Sequence, residues 1–295
     1  MLPIRSAVLQ SILDQTPPDL LFHYTSGYGL VGMLEKQAIW ATNAIHLNDA
    51  REMVEASEAA ALSALNLIRR PETPEDERVL LERMEADAGA AAPQVYVASF
   101  TSEGDSLEQW RAYCPPMGGY AVGIPSNHLM AVAQEQDFQL IKCVYDHTTK
   151  HKIIREVILS FLNEYREARA HNLITEEYKK NLVWRFYQHV AQIGAVMKHK
   201  AFAAELEWRL ISPPISSDFE KIRFRGSASG IVPYYSLDLS TEQNPLLGKD
   251  GDVRFRVMVG PTPDPRRSSL VAQMLLKKHL RGAEACTSSI PYRSW

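Results

Sequence analysis

The chain has 295 residues, 45% of them hydrophobic and 23% charged, with 32 basic against 35 acidic side chains and a net charge of −3. That composition fits a globular chain able to bury one large core or two modest ones, and it excludes wholesale disorder. The near balance of charge also excludes a global attraction to phosphate backbones, so any nucleic-acid contact needs a local basic patch.

In chain order, Ile4 to Leu13 reads as a short amphipathic helix. Leu21-Phe22-His23-Tyr24-Thr25 is aromatic and β-prone, and it runs into Gly27 and Gly29, so a strand ending at a turn is predicted, with His23 on it. Gly29 to Gln37 is the next helix, with Leu30, Met33 and Leu34 on one face. Asp49 lies three residues before Glu52, the spacing of a capping box, and an Ala-rich helix runs on to Ile68. Pro71 to Pro74 ends it, and a helix to about Ala88 follows.

Val95 to Ser102 reads as a central strand that turns from apolar to hydroxyl residues at its end. Gly118-Gly119 turns into a strand over Tyr120 to Ile124. Two apolar stripes then appear at helical spacing, from Ile153 to Tyr165 and from Leu182 to Met197, and predict a helical hairpin joined near Asn172 to Thr175. It lies between two strand motifs, so 146–200 is expected to be an insertion or lid within one domain spanning 1–295. Strands over Ile222 to Phe224, Ile231 to Leu237 and Val253 to Val259, and a helix from Ser268 to Leu280, complete the reading. The predicted fold class is α+β, with a mixed, interrupted β-sheet and peripheral helices. No Gly-x-Gly-x-x-Gly follows a strand and no Walker sequence occurs, so hydride transfer and P-loop chemistry lack their usual supports.

Cys114, Cys143 and Cys286 are far apart and odd in number, which predicts a reducing compartment rather than a disulfide framework. Met1 to Thr16 lacks the pattern of a signal peptide, and no run approaches the ~18 apolar residues of a membrane span. A cytoplasmic protein with no membrane contact is expected. His147 and His151 are four apart, as metal ligands on a helix can be, but two ligands at a helix start read as surface residues, and no metal is expected.

The segment Glu205-Leu206-Glu207-Trp208-Arg209 carries the chemistry. In an extended conformation Glu205, Glu207 and Arg209 share one face, and Leu206, Trp208 and Leu210 fill the opposite, buried one. Two acids on a rigid strand can line a cleft; the plainer reading is a solvated pair between Glu207 and Arg209.

Three features in this order resemble the signature of the ADP-ribosyltransferases: a polar residue on a first strand, an aromatic-x-Ser-x-Thr/Ser strand, and a later Glu-x-Glu strand. The counterparts are His23, the Ser99-Phe100-Thr101-Ser102 stretch and Glu205-x-Glu207. His23-Tyr24-Thr25 is similar to the His-Gly-Thr/Ser triplet of the diphtheria-toxin and poly-ADP-ribose polymerase branch, whereas Glu-x-Glu is more like the arginine-modifying branch. A second resemblance spans nearly the whole chain. It runs through His23-Tyr24-Thr25, Ile39-Trp40-Ala41-Thr42, Leu47-Asn48-Asp49 with Glu52, Ser99-Phe100-Thr101, Asp105-Ser106, Gln109-Trp110, Gly118-Gly119, Glu205-x-Glu207-x-Arg209, Val259-Gly260-Pro261 and Ile290-Pro291-Tyr292-Arg293. This succession is similar to a bacterial family known as a domain of unknown function, DUF2971, and names no reaction.

The first resemblance implies an ADP-ribosyltransferase-like fold and cleavage of the glycosidic C–N bond of NAD, with NAD as substrate. Its transition state has oxocarbenium character, which a carboxylate on the neighbouring 2′-hydroxyl would stabilise. Glu207 is the counterpart for that role, and Glu205 for orienting or deprotonating the nucleophile. His23, Tyr24 and Thr25 would meet the ribose and nicotinamide, and Ser99 and Thr101 would brace the glutamate strand or the ribose; core packing is the competing reading for Tyr24 and backbone pairing for the hydroxyls. A toxin or defence effector modifying a macromolecule is implied, with a protein acceptor favoured over nucleic acid by the near-neutral charge. An NAD glycohydrolase on the same scaffold, and a non-catalytic nucleotide-binding or sensor module, are the alternatives.

Overall fold

A computed structural model of the protein describes residues 7–47, 51–86, 94–115, 118–227, 230–240, 255–280 and 282–292. The chain begins with α1 (Ala7–Leu13), β1 (Leu20–Thr25), α2 (Gly27–Lys36) and β2 (Ala38–Asn43). Two long helices, α3 (Arg51–Ile68) and α4 (Glu75–Ala86), lead to β3 (Tyr96–Thr101), α5 (Leu107–Tyr113), β4 (Tyr120–Pro125), α6 (Ser126–Glu135) and β5 (Gln139–Lys142). The hairpin α7 (His147–Ala170) and α8 (Glu176–Gly194) follows, then β6 (Glu207–Ile211), β7 (Ile222–Ser227), β8 (Gly230–Asp238), β9 (Arg256–Val259), α9 (Pro265–His279) and β10 (Glu284–Thr287).

Helix starts follow side-chain chemistry. Ser26 accepts from Gly29 N, Asp146 from Thr149 N, Thr175 from Tyr178 N and Asp264 from Arg267 N, each satisfying an amide with no partner inside its own helix. The Ser26 cap explains one difference from the sequence reading. Gly27 and Gly29 form the first turn of α2 rather than a loop. The capping-box pair fares differently: Asp49 and the side chain of Glu52 lie outside the described residues.

The strands form one mixed, open sheet in the order β10-β9-β4-β1-β3-β2-β8-β7, with β6 also on β3 and β5 on β6. β9 and β10 run parallel, and every other strand pairing is antiparallel. The interruption lies at β3. One edge pairs without a break to β6, from Val97 opposite Ile211 to Thr101 opposite Glu207. The other edge meets β2 only at Tyr96 and Val97 and meets β1 only at Thr101, so the two strands splay apart around Ser99.

Period-two alternation assigns the faces of this centre. Val95, Val97 and Ile211 join the larger core with α3, α4, α7 and α8, while Tyr96, Ala98, Phe100, Trp208 and Leu210 join a second core with α2, α6 and α9. The helical hairpin is therefore built into the larger core: Ile154, Phe161, Leu182 and Phe186 pack there with Ala56, Ala60 and Ala64 of α3. Small alanines on α3 let the helices approach closely, and each fully buried Leu, Ile or Phe contributes about 1.5–3 kcal/mol.

Candidate active site

The gap in the sheet creates a hydrogen-bonding problem that His23 solves. The carbonyl of Ser99 falls between β1 and β2, where no strand pairs with it, and His23 Nδ1 lies 2.9 Å from it. A carbonyl only accepts, so Nδ1 carries the proton and Nε2 is left as an acceptor. Burial pushes the His23 pKa down, partly countered by this hydrogen bond, and the ring is neutral at pH 7.

On the other edge of β3, Glu207 and Arg209 lie on one face of β6, with Trp208 and Leu210 on the opposite face. The plainer reading of a solvated Glu207–Arg209 pair does not hold: all five β6 residues are buried, with Glu207 4% and Arg209 3% exposed. Glu205 also departs from the extended reading. It ends a 3-10 turn over Lys200–Glu205, and Leu206 takes a left-handed conformation (φ 45°, ψ 45°) and is 38% exposed rather than packed beneath the strand.

Lys198 reunites the two acids. Its backbone N–H donates to Val144 O at 3.0 Å, and its Nζ contacts Glu205 Oε2 and lies 2.5 Å from Glu207 Oε2. Arg209 approaches Glu207 with two donors, Nε at 2.8 Å from Oε1 and Nη2 at 3.2 Å from Oε2, while its Nη1 donates to Ala195 O at 2.7 Å. Tyr145 Oη accepts from Glu207 N at 2.8 Å, and Tyr113 Oη donates towards both Glu205 oxygens at 3.3 Å. Burial raises the Glu207 pKa, but Arg209 and Lys198 outweigh it and hold the carboxyl at about 2. Burial lowers the Lys198 pKa, and Glu207 and Glu205 more than reverse this, so the ammonium is held above its ordinary value. Glu207 is thus a permanent anion at neutral pH and no proton donor.

Two adjoining cavities open onto this network. The inner one, about 60 Å³, is lined by His23, Ser99, Thr101, Gln109, Tyr113, Glu205 and Glu207, with Phe22, Tyr24 and Phe100. The outer one, about 220 Å³, shares His23, Ser99, Tyr113 and Glu207 and adds Trp40, Thr42, His46, Lys198, Phe202, Arg209 and Arg225 among its walls. Residues from β1, β3 and β6 therefore meet at one cleft.

The remaining candidates separate. Tyr24 touches the inner cavity, but its hydroxyl is spent in the fold: it donates to Glu103 O at 2.8 Å and accepts from Ser106 N at 3.0 Å. Its ring meets Trp110 edge-on at 4.5 Å. Thr25 lies at the far end of β1 opposite Tyr120 and lines neither cavity. Thr101 Oγ1 accepts from Glu103 N at 3.1 Å and stands opposite Glu207 in the ladder, and Ser99 stands opposite Arg209. Trp110 is core, 3% exposed, whereas its neighbour Gln109 reaches the cleft. Sequence reasoning missed Lys198, Tyr113, Tyr145 and Arg225. Their only signal is residue type, because the turn that brings Lys198 to both acids has no readable period.

His147 and His151 lie elsewhere, at the start of α7, with their Nε2 atoms 3.0 Å apart beside a cavity of about 520 Å³ that α3 also lines. Among the described residues, no group of three or more His, Cys, Asp or Glu is placed to hold a metal ion, and no helix is long and apolar enough to cross a membrane. No curated protein and no solved structure matches the chain. A family model does match part of it. Residues 109–210, from Gln109 on α5 to Leu210 on β6, a span that includes Tyr113, Lys198, both glutamates and Arg209, are similar to the family described as a protein of unknown function, DUF2971.

Proposed function

We propose that the protein is an NAD-dependent ADP-ribosyltransferase whose reaction takes place in this cleft. The observation that carries the reading is the meeting of His23, Ser99 and Glu207, from three different strands, at the gap in the sheet. Breaking the ribose–nicotinamide bond sends its electron pair to the departing nicotinamide and builds positive charge on the ribose. Glu207 is ionised throughout the neutral range, and Oε1 has acceptor capacity beyond its bond to Arg209, so it can take a 2′-hydroxyl hydrogen bond that strengthens as that charge grows. His23 Nε2 supplies a second acceptor for a ribose hydroxyl. Glu205, on the turn above, would orient the incoming nucleophile and take its proton, completing transfer to a protein side chain; water in its place gives NAD hydrolysis.

One observation favours a second reading. Each oxygen of Glu207 meets a cation, and Glu205 shares Lys198, so the charges are internally compensated as in a structural network. On that reading the cleft belongs to a non-catalytic nucleotide-binding or sensor module. Incubating the purified protein with NAD, with and without cell lysate, and quantifying free nicotinamide separates the two. The transferase reading requires release that grows with protein concentration. Binding of NAD without any release supports the module.

A further inference from the structure

The outer cavity has a surplus of positive charge that the acids of the site do not use. It presents Lys198, Arg209 and Arg225 against one carboxylate, Glu207. Lys198 and Arg209 are committed to Glu205 and Glu207. Arg225 has no carboxylate partner among the described residues.

Its placement is unusual for an arginine on an edge strand. β7 is the last strand of the sheet, and Phe224 beside Arg225 is 66% exposed. An arginine there ordinarily extends its head into water. Arg225 instead reaches back across β8 to β2, where its guanidinium lies 5.8 Å from the Trp40 ring centroid and its Nη2 donates to Thr42 Oγ1 at 3.3 Å. Trp40 is braced from β8 by Tyr234, with ring centroids 4.8 Å apart. Among the described residues, Arg225 Nε is buried without a hydrogen-bond partner. A buried donor left unmet is costly, and such a group on a cavity wall marks where an acceptor from outside belongs.

The geometry points to a phosphate subsite on this wall, in which Arg225, Thr42 and Trp40 take the diphosphate of a nucleotide. A guanidinium offers paired planar donors that fit phosphoryl oxygens, and the Nε edge is the one left open. The Thr42 hydroxyl adds a donor. This inference rests on the cleft being a nucleotide site and names the part of the ligand held by Arg225 and Thr42.

Calorimetric titration of ADP, NAD and inorganic pyrophosphate into wild type, Arg225→Gln and Arg225→Lys tests it. Wild type is expected to bind ADP and NAD. Arg225→Gln should weaken both at least ~10-fold, and Arg225→Lys, which keeps charge but loses the planar fork, should fall between. Melting temperatures establish that the variants are folded. ADP binding unchanged in folded Arg225→Gln overturns the subsite, as does a wild type that binds none of the three. Its failure is distinct from that of the transferase reading. Nicotinamide release indifferent to Arg225 removes the subsite alone. Arg225-dependent ADP binding without nicotinamide release removes the enzyme alone.

Discussion

Lys198 Nζ lies 2.5 Å from Glu207 Oε2 and also contacts Glu205, so one buried ammonium links two carboxylates that the backbone separates by a left-handed turn. Side-chain exposures of 5%, 12% and 6% for Lys198, Glu205 and Glu207 take this pairing out of the weak surface class. Replacing Lys198 by Met leaves both acids buried and facing each other. Urea denaturation should show a loss of about 3–5 kcal/mol, partly recovered by adding Glu205→Gln. A loss under about 1 kcal/mol contradicts the picture of a buried, coupled network.

Glu207 also predicts an acid limb of stability. Its folded pKa of about 2 lies below the ordinary glutamate value near 4.3, so the unfolded chain takes up the proton first as pH falls. Its contribution is fully present above about pH 4.3 and lost as pH falls towards 2, amounting to about 3 kcal/mol. Glu207→Gln should flatten that part of a stability-against-pH curve. It should also destabilise at neutral pH, because Arg209 and Lys198 lose the charge between them. Parallel curves for both proteins between pH 5 and 2 contradict the assignment.

His23 and Ser99 give a different signature. His23→Ala removes the donor to a carbonyl stranded in the sheet gap, and should cost about 1–3 kcal/mol beyond the packing loss. In wild type the depressed His23 pKa makes stability fall as pH drops below about 6.5, where the unfolded histidine protonates while the folded one resists. A histidine-resolved NMR titration checks the sign: a His23 midpoint at or above 6.5 contradicts it.

The positions that carry the resemblance to DUF2971 in the sequence include Asp105, Trp110 and Ile290, and the fold joins them. Asp105 Oδ1 accepts from Trp110 Nε1 at 2.8 Å and Ser288 Oγ at 2.6 Å, and Oδ2 accepts from Ser289 N at 2.9 Å. It ties the 288–292 segment to α5, which carries Gln109 and Tyr113 into the cleft. Asp105→Ala should abolish hydrogen-exchange protection at the Ser289 amide and cost about 2–3 kcal/mol. Unchanged protection there removes Asp105 from this role.

Much of the centre was legible because it obeys simple periods. The alternation in Val95 to Thr101 and in Glu207 to Leu210 fixes which side chains face the cleft, and the stripes on α7 and α8 fix the hairpin. What escaped depends on geometry without a period. Leu206 in the left-handed region takes Glu205 off the strand, yet Lys198 restores its proximity to Glu207. The four-residue strands β5 and β10 are too short to show alternation. Arg225 sits in a largely exposed strand that reads as solvated, and only the folded sheet reveals it turned over Trp40.

The most direct measurement is the rate of nicotinamide release from NAD by wild type and by Glu207→Gln, at neutral pH and at a temperature where melting curves show both folded. The account predicts measurable release by wild type and a fall of at least ~100-fold in the variant, because the amide keeps the shape of the carboxylate but not the charge that meets the oxocarbenium ion. Equal rates in the two folded proteins, or a wild type that neither binds NAD nor releases nicotinamide, would contradict it.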